Sequence, residues 1–152
     1  MAEMLSKSFA LAEFERTSTG LPNKCPPNLI PNLKSLCEHV LEPLRAHYRR
    51  PVHINSGYRS PAVNAAVGSK PASQHATGCA CDLEIPGVSN LDVARWIAAN
   101  LDFDQLILEN HKPGQPSSGW VHVSWVSGPR RKQVLTATMG SHGMVYKQGL
   151  PE

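Results

Sequence analysis

A chain of 152 residues with 41% hydrophobic and 18% charged residues has a globular balance and length for a single domain, 1–152, with its own core. No apolar run approaches the roughly 20 residues of a membrane helix, so membrane insertion is not expected. The formal net charge is only +3, and the dense basic spots, Arg49-Arg50 and Arg130-Arg131-Lys132, are not interleaved with aromatics, which gives no ground for nucleic-acid binding.

Met1 to Lys7 lacks the basic segment and apolar stretch of a signal peptide, so synthesis in the cytoplasm is expected. Ser8 to Arg16 reads as a short helix with Phe9, Leu11 and Phe14 as its contacts, and residues 17 to 28 as loop. The spacing of Ile30, Leu33, Leu36 or Cys37, Val40 or Leu41, and Leu44 predicts a helix from Asn28 or Pro31 to His47. Pro43 should kink or loosen its last turn. Pro51 to Ser56 alternates as a strand, with Val52 and Ile54 on one face. Ser60-Pro61 is a cap and first-turn proline for a helix to Val67, followed by an irregular loop from Gly68 to Gln74.

Cys79 to Ile85 reads as a central strand, with Ala80 and Asp82 on one face and Cys79, Cys81 and Leu83 on the other. Ser89 to Asp92 has the form of a helix start, an N-cap with an acid three residues on. Gln105 to Glu109 and Trp120 to Trp125 read as strands separated by a Pro/Gly/Ser loop, 111 to 119. Gln133 to Thr138 and Met144 to Tyr146 suggest a terminal hairpin. Strands interleaved with a few helices at irregular spacing imply an α+β fold with a mainly antiparallel sheet flanked by helices.

The segment Ser73-Gln-His75-Ala-Thr-Gly-Cys-Ala-Cys-Asp82 carries two potential metal ligands, His75 and Asp82, across a glycine, and His122 supplies a third downstream. Two imidazoles and one carboxylate hold zinc while leaving a position open for water. Zinc lowers the pKa of such a water to about 7, which points to a hydrolase. Cys79 and Cys81 are separated by one residue, a poor spacing for chelation, and strand parity turns them toward the core. With Cys25 and Cys37 they read as buried free thiols.

The same segment resembles the Ser-x-His-x-x-Gly-x-Ala-x-Asp motif of the zinc D-Ala-D-Ala carboxypeptidase family. That family includes cell-wall D,D-carboxypeptidases, D-Ala-D-Ala dipeptidases and phage L-Ala-D-Glu endolysins, and shares its fold with the hedgehog signalling domain. Ser56-Gly-Tyr-Arg59 and Trp120-Val-His122 are similar to two further segments of the family, and the likeness runs from about Phe9 to Tyr146. It implies that His75, Asp82 and His122 bind Zn2+, that Arg59 holds a substrate carboxylate or polarises the scissile carbonyl, and that Ser73 orients the motif loop or touches substrate. Many members place a glutamate three residues before the last histidine, but Gly119 stands there. Glu109, at the end of the preceding strand, is the substitute general base, with His111 as the competing proton donor or ligand.

The resemblance implies a zinc peptidase acting on peptidoglycan stem peptides at a bond adjoining a D-amino acid, as a carboxypeptidase or a lytic endopeptidase. A non-catalytic, hedgehog-like zinc-binding interaction module is the alternative. A monomer acting on the cell wall after release, or as a phage-type protein, is expected.

Overall fold

The computed structural model describes residues 3–152. Six strands form one sheet in the order β1-β2-β4-β3-β5-β6: β1 is His53–Ser56, β2 Ala80–Glu84, β3 Gln105–Glu109, β4 Trp120–Ser124, β5 Gln133–Gly140 and β6 Gly143–Gln148. All neighbours are antiparallel except β3 and β5. That parallel pair arises because β4 turns back on one side of β3 and β5 is then laid along its other side. The fold is α+β with a mostly antiparallel sheet, as the spacing of elements implies.

Helices α1 (Leu11–Glu15), α2 (Ile30–Leu36), α3 (Glu42–Tyr48), α4 (Pro61–Ala66) and α5 (Asn90–Asn100) complete the fold. One sheet face takes the main core. Leu33, Leu36, Val40, Leu41 and Leu44 of the α2–α3 rod, and Val93, Ala94 and Ile97 of α5, pack with Cys81, Leu83, Leu106, Leu108, Val121 and Val123 from the strands. Each is fully buried, so each large aliphatic side chain contributes about 1.5–3 kcal/mol of transfer free energy. The opposite face carries a smaller cluster of Ile107, Leu135 and Ala137. Asp82 and His122 share that second face, because each is paired directly with its neighbour on the adjacent strand: Asp82 with His122, and Ile107 with His122.

Two helices depart from the expected bounds. α1 begins at Leu11 rather than Ser8, because the carbonyl of Phe9 is taken by the N–H groups of Leu5 and Ser6 in a turn, and Met4 bridges Ala10. The Glu13 carboxylate then accepts the Ala10 N–H and closes the helix start. The long helix opens with a 3-10 turn, Pro27–Leu29, and runs without a break through Pro43 to Tyr48. Proline has no N–H for the carbonyl four residues earlier. The chain meets this with a π turn, Cys37–Leu41, in which the Glu42 N–H donates to Cys37 O. Ser60 caps α4 as expected, accepting the Val63 N–H.

Candidate active site

Asp82 sits in the middle of β2 and His122 directly opposite it on β4, so their side chains rise together from the open face. His75 comes from the 3-10 turn Gln74–Thr77 that leads into β2. The three residues are buried, and one ligand atom from each lies within 4.8 Å of the others. His75 Nδ1 is 2.8 Å from Gly57 O. A carbonyl only accepts, so Nδ1 carries the hydrogen and neutral His75 presents a lone pair on Nε2. That nitrogen is 3.3 Å from Asp82 Oδ1, and His122 Nδ1 is 3.0 Å from the same oxygen. A lone pair set against a carboxylate oxygen is relieved by a shared cation, and the backbone carbonyl behind His75 is the kind of partner that orients a metal-ligating imidazole. Two imidazole nitrogens and a carboxylate oxygen therefore suit zinc, with room in its coordination for water. Where protons on the imidazoles take the place of that cation, burial still opposes ionisation of Asp82, but the charge and hydrogen bonds of the protonated His75 and His122 outweigh it and hold the carboxyl well below its ordinary range.

Arg59 is bound into this group. Its Nε–H donates to Ser56 Oγ (2.9 Å), Nη1 to Ser69 Oγ (2.8 Å) and Nη2 to Asp82 Oδ2 (3.1 Å). The guanidinium thus occupies one carboxylate oxygen and leaves the other to the imidazoles, a positioning contact the sequence reading did not anticipate. Ser73 Oγ accepts the His75 N–H at 3.3 Å and caps the turn that carries the ligand.

Glu109 ends β3 opposite Trp120 and is the diagonal neighbour of His122 on the ligand face. Burial raises its pKa, as does the negative charge of Asp82, against the lowering influence of His122, Trp120 and Arg59. The indole N–H of Trp120 bears on this carboxyl but makes no hydrogen bond of good geometry among the described residues. Gly119 explains why no glutamate stands three residues before His122. Its φ is +70°, and a Cβ there would lie 2.0 Å from Glu109 O. A side chain at 119 is incompatible with this backbone. His111 Nδ1 is 3.2 Å from Ser118 O within its own loop, and His111 is not part of the metal-capable group among the described residues.

Two anchors escape a reading of the sequence. Ser89 makes no side-chain cap on α5. Instead the buried Asn90 ties down the loop before β4: its backbone N–H donates to Pro116 O, and its Nδ2 to Ser118 O and Gly119 O. Gln74 Nε2 donates to Asp104 Oδ2 at 2.8 Å, and Arg131 donates to both Asp104 oxygens. The hydrogen bonds from Arg131, against some burial, hold Asp104 down at a pKa of about 2. Neither polar tie has a local signal, since the partners lie 26 to 30 residues apart.

Cys81 lies fully in the core, where burial pushes its thiol far up, and Cys79 is also buried. Neither belongs to the metal-capable group among the described residues. A surface cleft of about 230 Å³ lies by His53, Glu84, Pro86 and Ser117, and none of His75, Asp82 or His122 lines it. The chemistry is not there.

A family model described as Peptidase M15 matches residues 7–124, which include α1 through β4 and all the residues of this site. A search of curated proteins finds no match. The chain belongs to the Peptidase M15 family.

Proposed function

We propose that the protein is a zinc-dependent peptidase that hydrolyses peptidoglycan stem peptides at a bond adjoining a D-amino acid. The observation that carries this reading is the gathering of His75, Asp82 and His122 within 4.8 Å, beside Arg59 and on the sheet face that bears Glu109. His75 Nε2, His122 Nδ1 and Asp82 Oδ1 would hold the metal. Bound there, zinc supplies Lewis acidity toward water and the scissile carbonyl.

The chain's own residues do the rest. Gly57 O fixes the His75 tautomer, and Arg59 fixes Asp82. Glu109 takes a proton from the attacking water and delivers it to the leaving amine. Its raised pKa brings the carboxyl toward the operating range of a general base. Arg59 faces the negative charge that develops on the carbonyl oxygen. The substrate class rests on membership of a metallopeptidase family and on the motif resemblance.

The test is to measure bound zinc, then digest purified peptidoglycan with the wild-type and Glu109→Ala proteins and read the products by mass spectrometry. Free D-Ala identifies a carboxypeptidase, and shortened or uncrosslinked stems identify a lytic endopeptidase. Zinc with no product would instead mark a non-catalytic zinc-binding module, and absence of zinc would overturn the metal reading.

A further inference from the structure

Arg59 has a second side. Of the five N–H donors of a guanidinium, three are engaged, on Ser56, Ser69 and Asp82. A cleft of about 150 Å³ opens along this residue, lined by Arg16, Ser18, Ser56, Arg59, Val63 and Val67 among others. Arg16 is exposed, and its guanidinium makes no hydrogen bond or ion pair with the described residues. Glu15, next to Arg16 in sequence, accepts the Cys25 N–H. Asp82 is held by Arg59 and the imidazoles, and Glu84 accepts from Asn55 and Asn90. The cleft therefore presents one unneutralised arginine, the spare edge of a second and a free serine hydroxyl against a wall of two valines. It is joined to the metal-capable group by a single guanidinium.

We propose that this cleft is a carboxylate-binding subsite for the peptide substrate, with Arg16 as its anchoring cation. The proposal rests on the peptidase reading above and extends it to a part of the substrate outside the scissile bond. At about 150 Å³ the cleft holds one short acidic group with its methylene stem rather than a whole peptide. A planar guanidinium meets a carboxylate through two parallel hydrogen bonds, so Arg16 selects an ionised acid over its amide. Val63 and Val67 shelter the aliphatic part of the same group and strengthen that contact by excluding water.

Arg16 is exposed and outside the core, so its replacement leaves folding intact. The experiment measures fluorescence anisotropy of a dye-labelled L-Ala–D-Glu–L-Lys–D-Ala–D-Ala peptide with the zinc-loaded protein and its Arg16→Gln variant. Two further probes carry an amide in place of the glutamyl carboxylate or of the C-terminal carboxylate. Wild type should bind the fully ionised peptide about tenfold more tightly than one of the two amides, and that probe identifies which carboxylate the cleft takes. Arg16→Gln should lose this preference and bind all three probes alike. Equal wild-type affinity for the three probes, or a preference that survives in Arg16→Gln, would overturn the subsite. Mass spectrometry of the same mixtures reports cleavage separately, so loss of the peptidase reading and loss of the subsite give different results.

Discussion

At Gly119 the backbone turns through φ +70° with its Cα pressed against the carbonyl of Glu109, where an added Cβ would stand 2.0 Å from the oxygen. Bare backbone here lets the end of β3 and the start of β4 close up, and that closure is what sets Glu109 beside the ligand strand. Gly119→Ala combines a left-handed conformation with a backbone clash, and is expected to cost about 2–4 kcal/mol, read as a fall in thermal midpoint. A midpoint within a degree of wild type would mean that the turn rearranges freely. Glu109→Gln keeps the shape of the side chain and removes its capacity to accept a proton. It should lower kcat on peptidoglycan fragments by roughly 10²–10⁴-fold while zinc content stays at the wild-type level. Full activity in that variant would move the proton transfer to another group, with His111 the nearest histidine in sequence.

Strand parity was readable from the residues, because a period of two admits one answer once Leu83 and Cys81 are assigned to the core. β2 and β4 duly turn Asp82 and His122 to one face; the motif resemblance pointed to Arg59, while Glu109 was reached from its place at the end of the preceding strand, because Gly119 stands at the family's glutamate position. What stayed hidden follows from range. Nothing local says that β3 lies between β4 and β5, or that Phe9 spends its carbonyl in a turn and so shortens α1. A proline says only that a helix must adjust, and the π turn at Cys37–Leu41 is one of several ways to do so. The Gln74–Asp104–Arg131 tie joins the ligand turn to the start of β3, and it has a pH signature. The folded pKa of Asp104, about 2, lies below its ordinary value of 3.8. Its contribution is therefore complete above about pH 4 and fades as pH falls through about 2. Arg131 is 54% exposed, so solvent screening limits the pair to roughly 1 kcal/mol or less. Asp104→Asn should lower the thermal midpoint at neutral pH and lose part of the wild-type decline between about pH 4 and 2. Parallel midpoint curves for the two proteins would show that the tie carries no linkage.

For the molecule as a whole, the metal-capable group and the main core occupy opposite faces of one sheet. The core is built from α1, α2, α3, α5 and the inward residues of four strands, and none of His75, Asp82 or His122 belongs to it. The fold therefore differs from small zinc modules in which the metal replaces a core and its removal unfolds the chain. Zinc that binds only the native state adds RT ln(1 + [Zn]/Kd), about 2.7 kcal/mol at a hundredfold excess over Kd. For a chain of this size each kcal/mol is about 2–4 °C. Chelation should thus lower the thermal midpoint by roughly 5–10 °C while the far-ultraviolet dichroism and the cooperativity of the melt remain. His122→Ala should abolish the response to added zinc and melt close to the chelated wild type, since β4 keeps its pairing on both sides through the backbone. A chelated protein that melts without cooperativity would show that the three ligands organise the sheet rather than decorate it.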